Sequence, residues 1–423
     1  MTKILRGQAK DFRLKLRENS INLPYFSTLE ELKKFRLYDV PFGELVTSQL
    51  VDDARDCYIT VEDIQPRIES LLQNSIALYT EARKIIRESG AEMVYVWNGR
   101  RCSDGPVCYA ARDEDVTYNT YISGGKKNTY MTLPALKVHG LVENKKLMEE
   151  LFADSVKQRG IKNTEEDSML FYTLQKNGGG DFPGCIYFGY NFSETITLKN
   201  DGIKKRVVIF PSSLWEFYAM SDFRRYDDPY PNQYDGIEQI LNDERVYADN
   251  SLFVRWHPNL KTCGKNERKV IDEIIQETSE NTVHFTPEST INSYDLIDSA
   301  DVVVTFGSTV GIEANFYGKP SIMMGHAIYE DTGACYTPKS HEEFVTLINS
   351  ELMPLPKTGA LKYGYYQRNY GQNEYRFLTQ NSSGVFYYGR HPIATLWCRI
   401  KNDVSGIPLF RKVYELFRKT VKK

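Results

Sequence analysis

The stretch that most constrains this chain runs from Asp301 to Pro320, DVVVTFGSTVGIEANFYGKP. Val302, Val303, Val304 and Phe306 form the short apolar run of a fully buried parallel strand. Gly307 breaks it, and Ser308 can cap a helix from about Thr309 to Tyr317. Gly318 stands at the expected C-cap glycine, followed by Lys319-Pro320 and a second apolar strand over Ser321–Met324. Strand, glycine turn, helix and strand define an α/β unit. The start of its helix lies at the carboxyl edge of a parallel sheet, where open α/β sheets bind ligands and free N–H groups suit a phosphate.

A second buried strand begins at Ser251 and ends in Arg255-Trp256-His257-Pro258. Two residues apart on a strand, Arg255 and His257 are expected on one face, with Pro258 stopping the strand. A permanently charged guanidinium beside an imidazole of ordinary pKa near ~6.5 is a reasonable pair for a phosphate or diphosphate. A single His-Pro would more often be a core histidine. Two strand ends of this type in one domain shift the balance toward a phosphate site.

With 423 residues the chain can carry two domains, and its 41% hydrophobic and 26% charged residues suit a globular protein. A net charge of −3 without a basic stripe argues against nucleic acid as the partner. The seven cysteines are odd in number and contain no CxxC, which predicts free thiols and a cytoplasmic setting. No signal-peptide or transmembrane pattern is seen, so any membrane contact is expected to be peripheral.

Along the chain, residues 1–30 lack the apolar strand that usually opens a Rossmann-like domain. Helices are expected over Glu30–Leu37, Ile64–Ser89, Pro106–Arg112, Asn144–Lys157 and, opened by Thr164, Glu165–Gln175. Strands are expected at Met93–Trp97 and Val116–Ile122. Gly178-Gly179-Gly180 marks a domain junction, giving domains of 1–200 and 201–380 and a helical segment over 381–423. The second domain alternates strand and helix, beginning at Arg206–Phe210, with helices near Gly236–Asn242 and Glu267–Glu277 and helix caps at Asn292 and Ser340. That alternation predicts a doubly wound parallel sheet. Phe410, Val413, Tyr414, Phe417 and Val421 share a helical face with a basic rim, suited to docking on the protein's own domain or to an anionic membrane surface.

Taken together, NGR at 98–100, IFPSSLWE at 209–216, RWHPN at 255–259 and SYDLIDSADVVVTFGSTVGIEANFYGKPSI at 293–322 resemble the capsule polysaccharide biosynthesis family of glycosyltransferases. The resemblance covers roughly Tyr38 to Phe344 and is strongest in the second domain. It implies an α/β protein of GT-B fold: two facing Rossmann-like, doubly wound domains, with the nucleotide held mainly by the second. It also implies transfer of a sugar from a nucleotide-activated donor (CMP-, UDP- or GDP-linked) to a surface glycan or glycolipid acceptor, with no further cofactor.

By position, Arg255 and His257 would grip the donor phosphates, joined by Gly307, Ser308 and Thr309. Glu313, one helical turn beyond Thr309, would meet the ribose. Ser212, Ser213 and Glu216 would line the cleft, faced by Asn98 and Arg100. Departures from the family pattern fall on the acceptor side: Ser103-Asp104-Gly105 after NGR, and Gly124-Gly125 in place of a charged turn.

Arg255, His257 and a helix start could stabilise the leaving phosphate without a metal. An inverting transfer also needs a proton acceptor. Asp39, Glu44 and Asp104 are the candidates, as carboxylates in expected loops of the first domain. Three other readings share these features: a nucleotide-sugar 2-epimerase, a cytidine-linked polyol-phosphate transferase and a non-catalytic partner protein of the same fold.

Overall fold

The computed structural model describes residues 21–126, 128–135, 140–177, 194–198, 202, 204–220, 228–371, 373–375, 378–380, 386–388 and 391–392. The described residues begin with helices α1 (Leu29–Lys33), α2 (Phe42–Ala54) and α3 (Gln65–Ser89), then run β1 (Met93–Trp97), α4 (Gly105–Asp113), β2 (Thr117–Ser123) and β3 (Thr129–Pro134). Two long helices follow, α5 (Leu141–Arg159) and α6 (Ile161–Lys176). The second domain runs β4 (Lys205–Phe210), α7 (Gln233–Asn242), α8 (Glu244–Tyr247), β5 (Asn250–Arg255), α9 (Lys265–Thr278) and β6 (Thr282–Phe285). It continues with α10 (Ser293–Ser299), β7 (Val302–Thr305), α11 (Val310–Phe316), β8 (Ser321–Met323), α12 (His341–Asn349) and α13 (Thr358–Asn369). Short strands close the described chain: β9 (Asn373–Glu374), β10 (Leu378–Gln380), β11 (Phe386–Tyr388) and β12 (His391–Pro392).

The second domain has the expected architecture. Its five strands are all parallel in the order β6-β5-β4-β7-β8. Val207, Val208 and Ile209 of β4 and Val302, Val303 and Val304 of β7 are buried, as continuous apolar runs require of strands covered on both faces. Asn292 caps α10 by accepting from Tyr294 N–H at 2.9 Å. Ser340 caps α12 by accepting from Glu343 N–H at 3.2 Å, while Glu343 accepts from Lys339 N–H.

The first domain is α/β but shorter than a doubly wound sheet. Among its described strands β1 and β2 pair in parallel, while β3 returns antiparallel to β2, and β9 adds antiparallel to β3. The physical reason is connection length, because the turn from β2 to β3 is too short for a crossover and permits only a hairpin. Helix α4 covers β1 and β2, with α3 outside it. Met93, Tyr95 and Trp97 alternate onto the opposite, exposed face. Helix α6 begins at Ile161, so Thr164 is not its opening cap; it is buried inside, bonded to Ser155 and to the Gly160 carbonyl.

Helices α5 and α6 pack less on the first sheet than on α13 and the second domain. Tyr172 of α6 stacks on Phe316 of α11 at 3.9 Å, and its carbonyl accepts from Tyr317 Oη. Helix α13 carries the chain back across α5 and α6 to the first sheet, where β9 joins β3. The helical segment expected over 381–423 is corrected in part, since β10, β11 and β12 form an antiparallel ribbon. The amphipathic pattern over 410–421 and the junction at Gly178-Gly179-Gly180 lie outside the described residues. The two domains face each other across a cleft but share one apolar core, from Leu45, Val46 and Leu72 through to Ile237, Val254 and Trp256.

Candidate functional site

Three neighbouring strands, β5, β4 and β7, end side by side, and their following loops build the site. The pair Ser212-Ser213, just after β4, knits them together. Ser212 Oγ donates to the Phe306 carbonyl at the end of β7 at 2.9 Å. Ser213 Oγ lies 3.3 Å from His257 Nδ1, beyond β5. Adjacent residues on an extended chain point to opposite sides, so one serine reaches each neighbour. Both are buried, and Ser212 is further fixed by Gln233, whose side chain bonds its N–H and its carbonyl.

His257 is neutral at physiological pH. Burial, with the Arg255 charge beside it, pulls its pKa down to about 4. Its Nδ1 accepts from Asn259 N–H at 3.1 Å, so the ring proton belongs on Nε2. The imidazole thereby becomes a fixed hydrogen-bond donor instead of a cation.

Arg255 does not share that face. Strand β5 ends at Arg255, and His257 caps the following 3₁₀ turn Pro258–Thr262, so the two-residue spacing no longer aligns them. The guanidinium is buried and donates to the carbonyls of Trp256 and Thr286, both at 2.8 Å, and of Ser289 at 3.1 Å. In this structure it braces the loop after β6.

On the β7 side, Gly307 has φ of +88°, and a Cβ there would lie 2.6 Å from the His326 carbonyl. Glycine is therefore required twice over. Ser308 Oγ accepts from Val310 N–H at 3.4 Å, its carbonyl accepts from Tyr329 Oη, and Thr309 is exposed at the helix start. Glu313 is enclosed beneath them, accepting from Tyr294 and Thr309, and burial raises its pKa. Its carboxylate faces these partners within the helix packing.

The first domain contributes Arg100. Its Nη1 donates 2.8 Å to the Glu216 carbonyl across the domain boundary, and burial lowers its pKa. Asn98 holds the turn before it with φ of +61°. Arg100 and Glu216 both line a cleft of about 770 Å³ between the domains, together with Asp52, Arg55, Asn259 and Tyr366. A smaller cavity of about 100 Å³, walled by Phe217, Tyr218, Tyr230 and Phe306, lies at the same sheet edge.

The three expected base candidates do not line the cleft. Asp39 is exposed and paired with Arg36 and Arg112. Glu44 sits in the first turn of α2. Asp104 precedes α4 and accepts from Arg101 N–H at 2.8 Å, holding the turn after Arg100. Loop position alone made them candidates, whereas the domain packing brings Asp52 and Glu216 to the cleft.

The cluster His326, Asp228 and Glu330 was not expected from the sequence. His326 Nε2 lies 2.6 Å from Asp228 and its Nδ1 2.7 Å from Glu330. Burial opposes its charge, but the two carboxylates prevail and lift its pKa to about 9. It is an imidazolium clamped beside Gly307 and the smaller cavity. Among the described residues, no group of three His, Cys, Asp or Glu side chains is placed to hold a metal, and no helix is long and apolar enough to cross a membrane.

The five-stranded parallel sheet, with the candidate site at three of its strand ends, defines an open α/β domain. Residues 192–347, which contain the whole of this sheet, match the family described as capsule polysaccharide biosynthesis protein. No curated protein matches the sequence significantly. Among solved structures, the chain is similar to a beta Kdo 2,4 transferase, KpsC of Thermosulfurimonas dismutans. Identity is 13%, with 74% of this chain and 87% of that one covered and a TM-score of 0.37. The beta Kdo 2,7 transferase of the same KpsC gives 15%, 68%, 80% and 0.38. A UDP co-structure of MnaA from S. aureus gives 13%, 73%, 78% and 0.27.

Proposed function

We propose that the protein transfers a sugar from a nucleotide-activated donor to a glycan acceptor of the cell surface, with the donor phosphates at the ends of β5, β4 and β7. The observation that carries this reading is the fixed tautomer of His257. With Nδ1 occupied by Asn259 N–H, the Nε2–H is available to a phosphate oxygen, and burial keeps the ring neutral. A neutral donor near a leaving diphosphate or monophosphate stabilises developing charge without having to shed a proton. The Gly307-Ser308-Thr309 turn adds the hydroxyls of Ser308 and of the exposed Thr309. The match of residues 192–347 to the capsule polysaccharide biosynthesis family supports the same reading.

The acceptor would enter from the 770 Å³ cleft, where Tyr366 and Tyr370 stack at 5.1 Å beside Asn144 and Gln367. Aromatic faces flanked by amides suit a sugar ring. A CMP-, UDP- or GDP-linked donor and a peripheral contact with the membrane are the expectations that the sequence adds to this reading.

The test is a melting-temperature screen against CMP, CDP, UDP, GDP and dTDP, run beside His257→Ala. Ligand at a hundred times its Kd stabilises by about 2.7 kcal/mol, a readable shift. A shift with one nucleotide, lost in His257→Ala, is the expected result. No shift with any of them overturns the reading and favours a non-catalytic role.

A further inference from the structure

We propose that Glu216 is the proton acceptor of the transfer reaction, a role that rests on the transferase reading above. Among the described residues lining the interdomain cleft, Asp52 and Glu216 are the carboxylates. Asp52 has its Oδ2 on Arg101, committed to an ion pair. The Glu216 carboxylate is held differently. Its Oε1 accepts from Asn259 Nδ2 at 3.3 Å, and the guanidinium of Arg100 goes to the main-chain carbonyl of Glu216, not to its side chain. The groups that act on this carboxylate are Ser213 and Asn259 from its own domain and Arg100 and Asp52 from the other. Burial is the largest influence and makes it more basic than a surface glutamate.

Its position fits the task. Asn259 joins Glu216 to His257, giving its side-chain amide to the carboxylate and its main-chain N–H to Nδ1 of the imidazole. One residue thus fixes the separation between the group that would take a proton and the group that would receive the leaving phosphate. In the step, the acceptor O–H breaks and its proton passes to the Glu216 carboxylate. The acceptor oxygen bonds to the anomeric carbon, and the bond from that carbon to the phosphate oxygen breaks. The electron pair leaves on the phosphate, facing His257 Nε2–H. No oxidant or other co-reactant is needed.

The experiment measures nucleotide release from UDP-glucose, GDP-mannose and CMP-sialic acid, with water as acceptor, across pH 4 to 9. Wild type, Glu216→Gln and Glu216→Asp are compared, each checked for its nucleotide-induced melting shift. The expected result is a wild-type rate that rises through an acid limb above the ordinary glutamate range. Glu216→Gln should lose about a hundredfold or more in rate, lack that limb and keep the melting shift. Partial activity with the limb preserved is expected of Glu216→Asp. If Glu216→Gln keeps both rate and limb, or if Asp104→Asn or Asp39→Asn removes the limb instead, Glu216 is not the base and the donor site stands. If no nucleotide shifts the wild-type melt, or nucleotide binds but no donor is turned over, the transferase reading falls and the proposal falls with it.

Discussion

The carboxylate of Asp56, from the first domain, occupies the place a side chain of Gly264 would take at the start of α9. A Cβ on Gly264 would lie 2.3 Å from Asp56 Oδ2. That oxygen accepts from Asn266 N–H at 3.1 Å, the bond a helix's own N-cap residue would ordinarily make. Arg55 and Tyr58 extend the contact, their carbonyls accepting from Gly264 N–H and Asn266 Nδ2. One domain therefore caps a helix of the other.

Asp56→Ala is expected to lower stability by about 1 kcal/mol, the usual worth of a cap. Gly264→Ala should cost more, because the new methyl must displace a buried carboxylate. Urea denaturation of both variants measures this. Gly264→Ala as stable as wild type would show that the two domains do not meet as described.

Close by, Glu267 is fully buried and accepts from Tyr234 Oη at 2.6 Å and Cys57 N–H at 3.0 Å. Burial raises its pKa from 4.5 to about 7. Because the folded value is the higher one, its contribution is fully present below 4.5 and is lost as pH rises through 7. Melting temperatures of wild type should fall across that window relative to Glu267→Gln. Parallel pH profiles for the two proteins would contradict this.

His326 gives a second window. Its pKa moves from 6.5 to about 9 between Asp228 and Glu330, so its stabilisation is complete below 6.5 and disappears as pH passes 9. His326→Gln should melt lower than wild type at pH 6 and converge with it above pH 9. A difference that does not shrink with pH would mean the ring acts by packing and not by charge.

For Arg255, the expected consequence is loss of fold stability before loss of ligand. Arg255→Met leaves the carbonyls of Trp256, Thr286 and Ser289 without their donor. The cost should be about 3 kcal/mol or more, since hydrogen bonds to charged groups are worth ~1.5–3 kcal/mol each. Denaturant titration reads it directly. His257→Ala, by contrast, should keep most of the stability and lose the nucleotide-induced melting shift.

Local pattern was enough to determine the second domain. The unbroken apolar runs Val207–Phe210 and Val302–Val304, the glycine at 307 and the caps at Asn292 and Ser340 each act within a few residues, so the sequence alone specified strand, turn and helix there. It also located His257, Ser212, Ser213 and the Gly307–Thr309 turn at strand ends. Tertiary structure alone decided what those residues do. Only the packing of β5 against β6 sends the Arg255 guanidinium into the loop after β6, and only the Asn259 turn fixes the His257 tautomer. The short turn after β2 turned an expected parallel sheet into a hairpin. Which carboxylate reaches the cleft depended on how two domains meet, through Arg100 to Glu216 and Asp56 to Asn266. Those contacts join residues more than a hundred positions apart, where spacing along the chain holds no record of distance in space.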